Sequence, residues 1–179
     1  MIKHKNQRVA VFVDVQNMYY SAKNIYGAFV NFGQILAAAV AGRQLIRAFA
    51  YVIRADIPEE KAFYDALSKQ GFEIRVKDLQ IFAGGMKKGD WYVGLAVDAV
   101  ILSEKVDVVV LVTGDGDYVP LVEYVKNNKG CKVEVIGFGK TTSSKLIEAT
   151  DEFLDLNVES AKFLINHRRR KLPNVRLDN

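Results

Sequence analysis

The chain has little of several things: one cysteine (Cys131), two histidines (His4 and His167) and three prolines in 179 residues. A lone cysteine excludes an internal disulfide and points to a reducing, cytoplasmic setting. Two histidines near opposite ends argue against a His-rich zinc site. A metal held by this protein would rely on oxygen ligands, which favours Mg²⁺ or Mn²⁺. Long apolar runs are also absent: the stretches are short, such as Val108–Val112, far below a membrane span. After Met1, "IKHKNQR" leads into only five apolar residues before Asp14, too few for a signal peptide. The expectation is a cytoplasmic protein with no membrane segment. The chain shows no internal repeat, no low-complexity segment and no obvious linker.

What is present suits one domain with a sizeable core, since half of the chain is hydrophobic. The net charge of +4 equals the contribution of Arg168, Arg169, Arg170 and Lys171, so the rest of the chain is balanced. That run reads either as the solvated end of a last helix, where cations suit the dipole, or as a phosphate-binding tail. The division expected is residues 1–157 as the domain and 158–179 as a C-terminal helix with a basic tail. The apolar composition also leaves room for a homodimer without locating its interface.

Strand and helix patterns alternate. "RVAVFVD" (8–14), "LIRAFAYVI" (45–53), "FEIRVKD" (72–78), "DVVVLVT" (107–113) and "CKVEVIGF" (131–138) read as strands. Helices are predicted from Gln16 to about Ile25, after an Asn31 cap to Gly42, from Pro58 to Gly71, from about Trp91 to Glu104, up to Gly130, and over "TTSSKLIEAT". "DEFLDL" reads as a short extended segment, and a C-terminal helix follows from about Val158. This alternation implies right-handed βαβ crossovers and a mostly parallel five-stranded sheet covered on both faces; an order of 3-2-1-4-5 would make the first and fourth strands neighbours where the winding reverses. In such sheets ligands collect beyond the carboxyl ends of the strands, where the winding reverses.

Acids stand at that reversal. Asp14 ends the first strand, and "VLVTGDGDYVPLV" puts Asp115 and Asp117 just past the fourth. Asp98 sits in "WYVGLAVDAVIL", a helix apolar nearly all round, with no cation close in sequence. Each acid has a plain structural reading: Asp14 bonding nearby amides in a turn through Asn17, Asp117 capping the next helix, Asp98 bonding a hydroxyl or amide in the core. Gathered together, four carboxylates would repel by about 4 kcal/mol per pair at 4 Å and an effective dielectric near 20. Divalent cations would give such a cluster a chemical purpose, since a pair of Mg²⁺ ions can activate water and stabilise a leaving phosphodiester oxygen. An EF-hand is excluded, because Val119 and Pro120 occupy the third ligand and turn-glycine positions. A phosphatase that uses an aspartyl nucleophile is remote, because Gln16 stands where the partner acid would be.

Four ordered segments, "VFVDVQNMYY", "KKGDWYVGLAVDAV", "VVLVTGDGDYVPLV" and "SSKLIEATDEFLDL", carry a resemblance. Over roughly residues 8–156 the chain resembles the NYN domain of the PIN-like ribonuclease superfamily, in its LabA-type branch. The resemblance implies a Rossmann-like three-layer α/β/α sandwich of the PIN-like kind, and a divalent-metal-dependent ribonuclease hydrolysing RNA phosphodiesters. It implies Asp14, Asp98, Asp115 and Asp117 as metal-site carboxylates and Asn17 as an accessory orienting substrate or water. Thr113 stands where the family often has Ser, placed to hold a phosphate or an outer water. One position departs from the pattern: Tyr92 replaces a usual Asp in "KGDWYVG". That leaves a second reading open, a module that binds RNA without cutting it. Lys87 and Lys88 are candidates for flanking phosphates, and "KTTSSK" (140–145), with Ser144, for another phosphate contact. Tyr19 and Tyr20 are candidates for stacking on unpaired bases of single-stranded RNA.

Overall fold

The short Val-rich runs become the centre of a sheet buried on both faces. A computed structural model describes residues 3–54, 60–81 and 87–165, with positions 80, 81, 87 and 88 given by backbone only. In chain order the elements are β1 (Arg8–Asp14), α1 (Val15–Tyr26), β2 (Phe29–Val30), α2 (Phe32–Val40), β3 (Gln44–Arg54), α3 (Glu60–Lys69), β4 (Glu73–Asp78), β5 (Gln80–Ile81), β6 (Lys87–Lys88), α4 (Tyr92–Ser103), β7 (Val108–Val112), α5 (Val119–Lys129), β8 (Lys132–Gly137), α6 (Ser144–Ala149), β9 (Glu152–Asp155), α7 (Ser160–Phe163) and β10 (Leu164–Ile165). Among these, no helix is long and apolar enough to cross a membrane.

The main sheet has the order β4-β3-β1-β7-β8-β9, and every neighbouring pair is parallel. The five expected strands lie in the expected 3-2-1-4-5 order, and β9 adds a sixth at the edge. "DEFLDL" therefore forms a ladder strand: Glu152 pairs with Glu134 and Asp155 with Gly137. Side chains alternate across the sheet. Val9, Val11, Val13, Val108, Val110 and Val112 face a core layer that includes Met18 of α1, Ile35 of α2 and Leu67 of α3. Ala10, Phe12, Val109 and Leu111 face the opposite layer, with Leu95 of α4, Val122 of α5 and Leu146 of α6.

Two boundaries differ from the sequence reading. The helix after the Asn31 cap ends in a left-handed turn that begins at Ala41 (φ 48°) before Gly42 (φ 76°). The C-terminal helix expected from Val158 is one turn, because Leu164–Ile165 leave it to pair antiparallel with Phe29–Val30. Pro58 and the Arg168–Lys171 run lie outside the described residues.

Immediately after the Ala41 turn comes Arg43, a buried cation. Its guanidinium donates to both carboxylate oxygens of Glu134 on β8 (2.7 and 2.9 Å) and to the carbonyls of Ala39 and Val40 that end α2. Lys3 reaches the same carboxylate at 3.3 Å. Burial pushes the Glu134 carboxyl up, but the bonds from Arg43 and the charge of Lys3 outweigh it and hold the group below its ordinary range. Removing the acid leaves Arg43 buried without its counter-charge. Glu134→Ala is therefore expected to lower the unfolding free energy at neutral pH by about 3–5 kcal/mol in urea titrations. Because the native carboxyl is depressed, this contribution exists above the unfolded glutamate value and disappears as pH falls through the native one. The gap between wild type and Glu134→Ala should accordingly narrow in acid.

Candidate functional site

β1 passes directly into α1 at Asp14. Its Oδ1 accepts the Asn17 amide at 3.0 Å, so the last residue of the strand is also the cap of the helix. With no intervening loop, helical spacing brings Gln16, Asn17, Tyr20, Ser21 and Asn24 along one side of α1. Together with Asp14, Tyr92, Asp115 and Thr141 they line a crevice of about 360 Å³ beyond the carboxyl ends of β1 and β7. The winding direction reverses between these two strands. Among the described residues the lining contains two carboxylates and no lysine or arginine.

The second carboxylate is fixed by the turn after β7. The Gly114 amide donates to Asn17 Oδ1 at 2.9 Å, the Asp115 amide to Thr113 Oγ1 at 3.2 Å, and the Asp117 amide to Asp115 Oδ1 at 3.0 Å. The two glycines are required by close approach, because a Cβ on Gly114 would lie 3.0 Å from the Thr141 carbonyl oxygen and one on Gly116 2.7 Å from Ser143 Oγ. The 141–143 segment is held there by the Ser143 amide on the Gly114 carbonyl (2.9 Å). Thr141 in turn donates to Ser21 Oγ at 3.0 Å.

Tyr92 closes the crevice from the first turn of α4. Its hydroxyl donates to Asp115 Oδ2 at 2.7 Å, and its ring meets Tyr118 edge-on with centroids 5.6 Å apart. That bond to Asp115, reinforced by partial burial, holds the Tyr92 phenol well above its usual range. Asp14 is pushed up to about 6, chiefly by burial and further by the charge of Asp115; the amides of Asn17 and Gln16 oppose the shift. The buried Tyr118 hydroxyl also approaches Asp14, yet it meets no partner at full hydrogen-bond geometry. It is thus a desolvated polar atom beside the crevice acids.

The other expected site residues lie elsewhere. Asp98 is not part of the crevice: its Oδ2 accepts from Tyr51 at 2.9 Å and lies 3.5 Å from Arg75 Nε, over β3 and β4. The cation absent from its sequence neighbourhood is thus delivered by β4. Asp117 is exposed, and the next helix is not capped by its side chain; Asp115 caps the turn instead. Thr113 is buried and its hydroxyl is spent on the Asp115 amide, so it shapes the turn without facing the crevice. Ser144 is exposed at the start of α6, and Thr141 is the hydroxyl of that segment that lines the crevice. Lys87 and Lys88 form β6, and their side chains lie outside the described residues. Among the described residues, no group of three or more His, Cys, Asp or Glu side chains is gathered closely enough to hold a metal ion.

A family model, the NYN domain, matches residues 8–157. The chain belongs to the NYN domain family. This NYN domain is 28% identical to the low amplitude and bright protein LabA of Synechococcus elongatus, across 84% of each chain. It is also similar to a crystal structure of a protein of unknown function from Vibrio parahaemolyticus. That likeness has a TM-score of 0.83 and 34% identity, covering 92% of this chain and all of the other. The polar row Gln16, Ser21, Asn24 and Thr141 in the NYN domain was missed in the sequence. The signal for its α1 members was there: polar residues at two, seven and ten positions beyond a strand-ending acid.

The raised Asp14 carboxyl has a measurable consequence. The folded NYN domain binds that proton more tightly than the unfolded chain, so stability is lost as pH rises from about 4 to about 6. Asp14→Asn is expected to melt higher than wild type at pH 7.5 and near wild type at pH 4. A carboxyl titration by NMR should give about 6 for Asp14.

Proposed function

We propose that this protein is a divalent-metal-dependent ribonuclease acting on single-stranded RNA at the crevice between β1 and β7. The observation that carries the reading is the pair Asp14 and Asp115 facing one crevice with no cationic side chain in its lining among the described residues. The donor set fits Mg²⁺ or Mn²⁺ with a small protein share, since such ions commonly keep several waters and take one or two carboxylates plus substrate phosphates. The unpartnered Tyr118 hydroxyl beside Asp14 is a further polar group available to that shell. A bound cation would supply Lewis-acid polarisation of the phosphate and an activated water.

The remaining roles belong to the chain. Asp14 and Asp115 would hold the ion, and Asn17, whose oxygen is committed to Gly114, keeps the two acids in one orientation while its NH₂ is left for substrate. Tyr20, half-exposed at the rim, has Tyr19 edge-on at 5.4 Å and offers a stacking surface for a base. Gln16, Asn24 and Thr141 supply neutral donors and acceptors along the crevice wall. Asp98, engaged by Tyr51 and Arg75, holds α4 against β3 and β4 and so fixes Tyr92 over the crevice.

A second reading, RNA binding without turnover, is favoured by one contact: the Tyr92 hydroxyl on Asp115 Oδ2. It occupies the oxygen a cation would use. The deciding experiment is cleavage of a short fluorescent single-stranded RNA in Mn²⁺, Mg²⁺ or EDTA. Wild type is expected to cut with metal and not in EDTA, and Asp14→Asn to lose activity by roughly a hundredfold or more. Tyr92→Phe, which frees Asp115, is expected to cut faster. Binding by wild type with cutting only by Tyr92→Asp would establish the second reading.

A further inference from the structure

The helix α4 is built for more cover than the chain gives it. From Tyr92 to Ser103 it carries one charge, Asp98, and that is turned to Tyr51 and Arg75. A helix apolar nearly all round is expected to be buried on every side. Leu95, Ala99 and Leu102 are buried in the core, but Val93, Val97 and Ile101, each four residues on from the last, are 75%, 50% and 59% exposed. Three β-branched residues on a solvent-facing helix stripe cost helix propensity, a few tenths of a kcal/mol each, with no burial to offset it. Tyr124 of α5 is half-exposed beside the far end of the stripe, under the Lys129 that pairs with Glu104.

The two ends of the helix differ in charge. Asp90 precedes its first turn, and the exposed Asp117 acts electrostatically on Tyr92 within that turn. At the other end stand Lys105 and Lys129, the latter balanced by Glu104 at 2.8 Å. Among the described side chains, Lys77 at the Asp90 carbonyl offsets part of the first end and leaves it the more acidic of the two.

We propose that α4 is the self-association surface of this protein, with two copies packing their α4 helices antiparallel about a two-fold axis near Val97. The stripe itself offers no charge by which a nucleic acid or an acidic or basic peptide would bind it. Its small side chains allow two helices to approach closely, and a surface that is uniformly apolar matches a copy of itself. The end charges fix the direction. A parallel pair would stack Asp90 and Asp117 on their own copies, whereas an antiparallel pair sets Lys105 of one copy against Asp90 of the other, twice, and opposes the helix dipoles. One three-turn helix face is well short of the roughly 800 Å² per partner of a standard stable interface. The dimer is therefore weak and concentration-dependent.

The test is sedimentation equilibrium of the full chain over a concentration series from micromolar towards millimolar. Wild type should show a reversible monomer–dimer equilibrium. Val97→Glu places two carboxylates at the axis and should raise the dissociation constant by roughly tenfold or more. Lys105→Glu should weaken the dimer by about fivefold, and adding Asp90→Lys in the same chain should restore it. Because Val97 and Lys105 are exposed in the single chain, circular dichroism and melting should be unchanged. Should Val97→Glu fail to fold, the charge-swap pair decides the question alone. A wild type that stays monomeric throughout, or a dimer indifferent to both sets of variants, overturns the proposal and leaves the stripe to another occupant. A dimer sensitive to Val97→Glu but not rescued by the charge swap overturns the antiparallel order.

Discussion

The hydrogen bond from the Gly114 amide to Asn17 Oδ1 ties the turn after β7 to the first turn of α1. The arrangement of the crevice depends on it. β1 and β7 are neighbours in the sheet, but sheet pairing ends at Val13 and Val112, before either crevice acid. Beyond that point only side chains and amides can hold the two strand ends in register. Asn17 does so through the Gly114 amide, while Thr113 shapes the turn locally by accepting from the Asp115 amide, and the Ser143 amide bonds the Gly114 carbonyl. The glycines of G-D-G-D follow from this packing, since the third segment leaves no room for a Cβ at Gly114 or Gly116. Glycine here permits close approach of backbone, and neither residue has a positive φ.

What this framework holds is negative charge. Burial raises Asp14, and Asp115 raises it further, so bringing the two together opposes folding when both are ionised. Folding offsets that cost with neutral donors: the Asn17 and Gln16 amides on Asp14, and the Asp117 amide and Tyr92 hydroxyl on Asp115. Tyr92 supplies a side-chain hydroxyl to this compensation. An acid at its position would add a further negative charge and make the crevice depend on a cation, whereas a phenol lowers that dependence by donating one hydrogen bond.

The central strands were legible because unbroken Val-rich runs have few alternatives to a sheet buried on both faces. That they run parallel followed from the helical crossovers between them, whereas their order is not fixed by crossover handedness. The strand-ending position of Asp14 and Asp115 was legible for the same reason. Asp98 was not, because its partners Tyr51 and Arg75 come from strands 47 and 23 residues away, and no local pattern encodes that meeting. β9 was read as extended but not as a sheet member, since its four half-buried residues carry little apolar signal and its place depends on the register with β8. Thr113 was expected to hold a phosphate or an outer water because the resemblance places it where the family often has Ser. Its burial turns the hydroxyl inward, onto the backbone.

The long reach of α4 connects these levels. Its first turn sets Tyr92 on Asp115, its middle anchors Asp98 to β3 and β4, and its outer stripe carries the surface assigned to self-association. A rigid three-turn helix cannot shift one of these without the others. A contact that shifted the outer stripe would therefore bear on the Tyr92 hydroxyl over the crevice, and any coupling so made would act in both directions with the same free energy. Association, as proposed, and occupancy of the crevice would on this geometry be two readouts of one element.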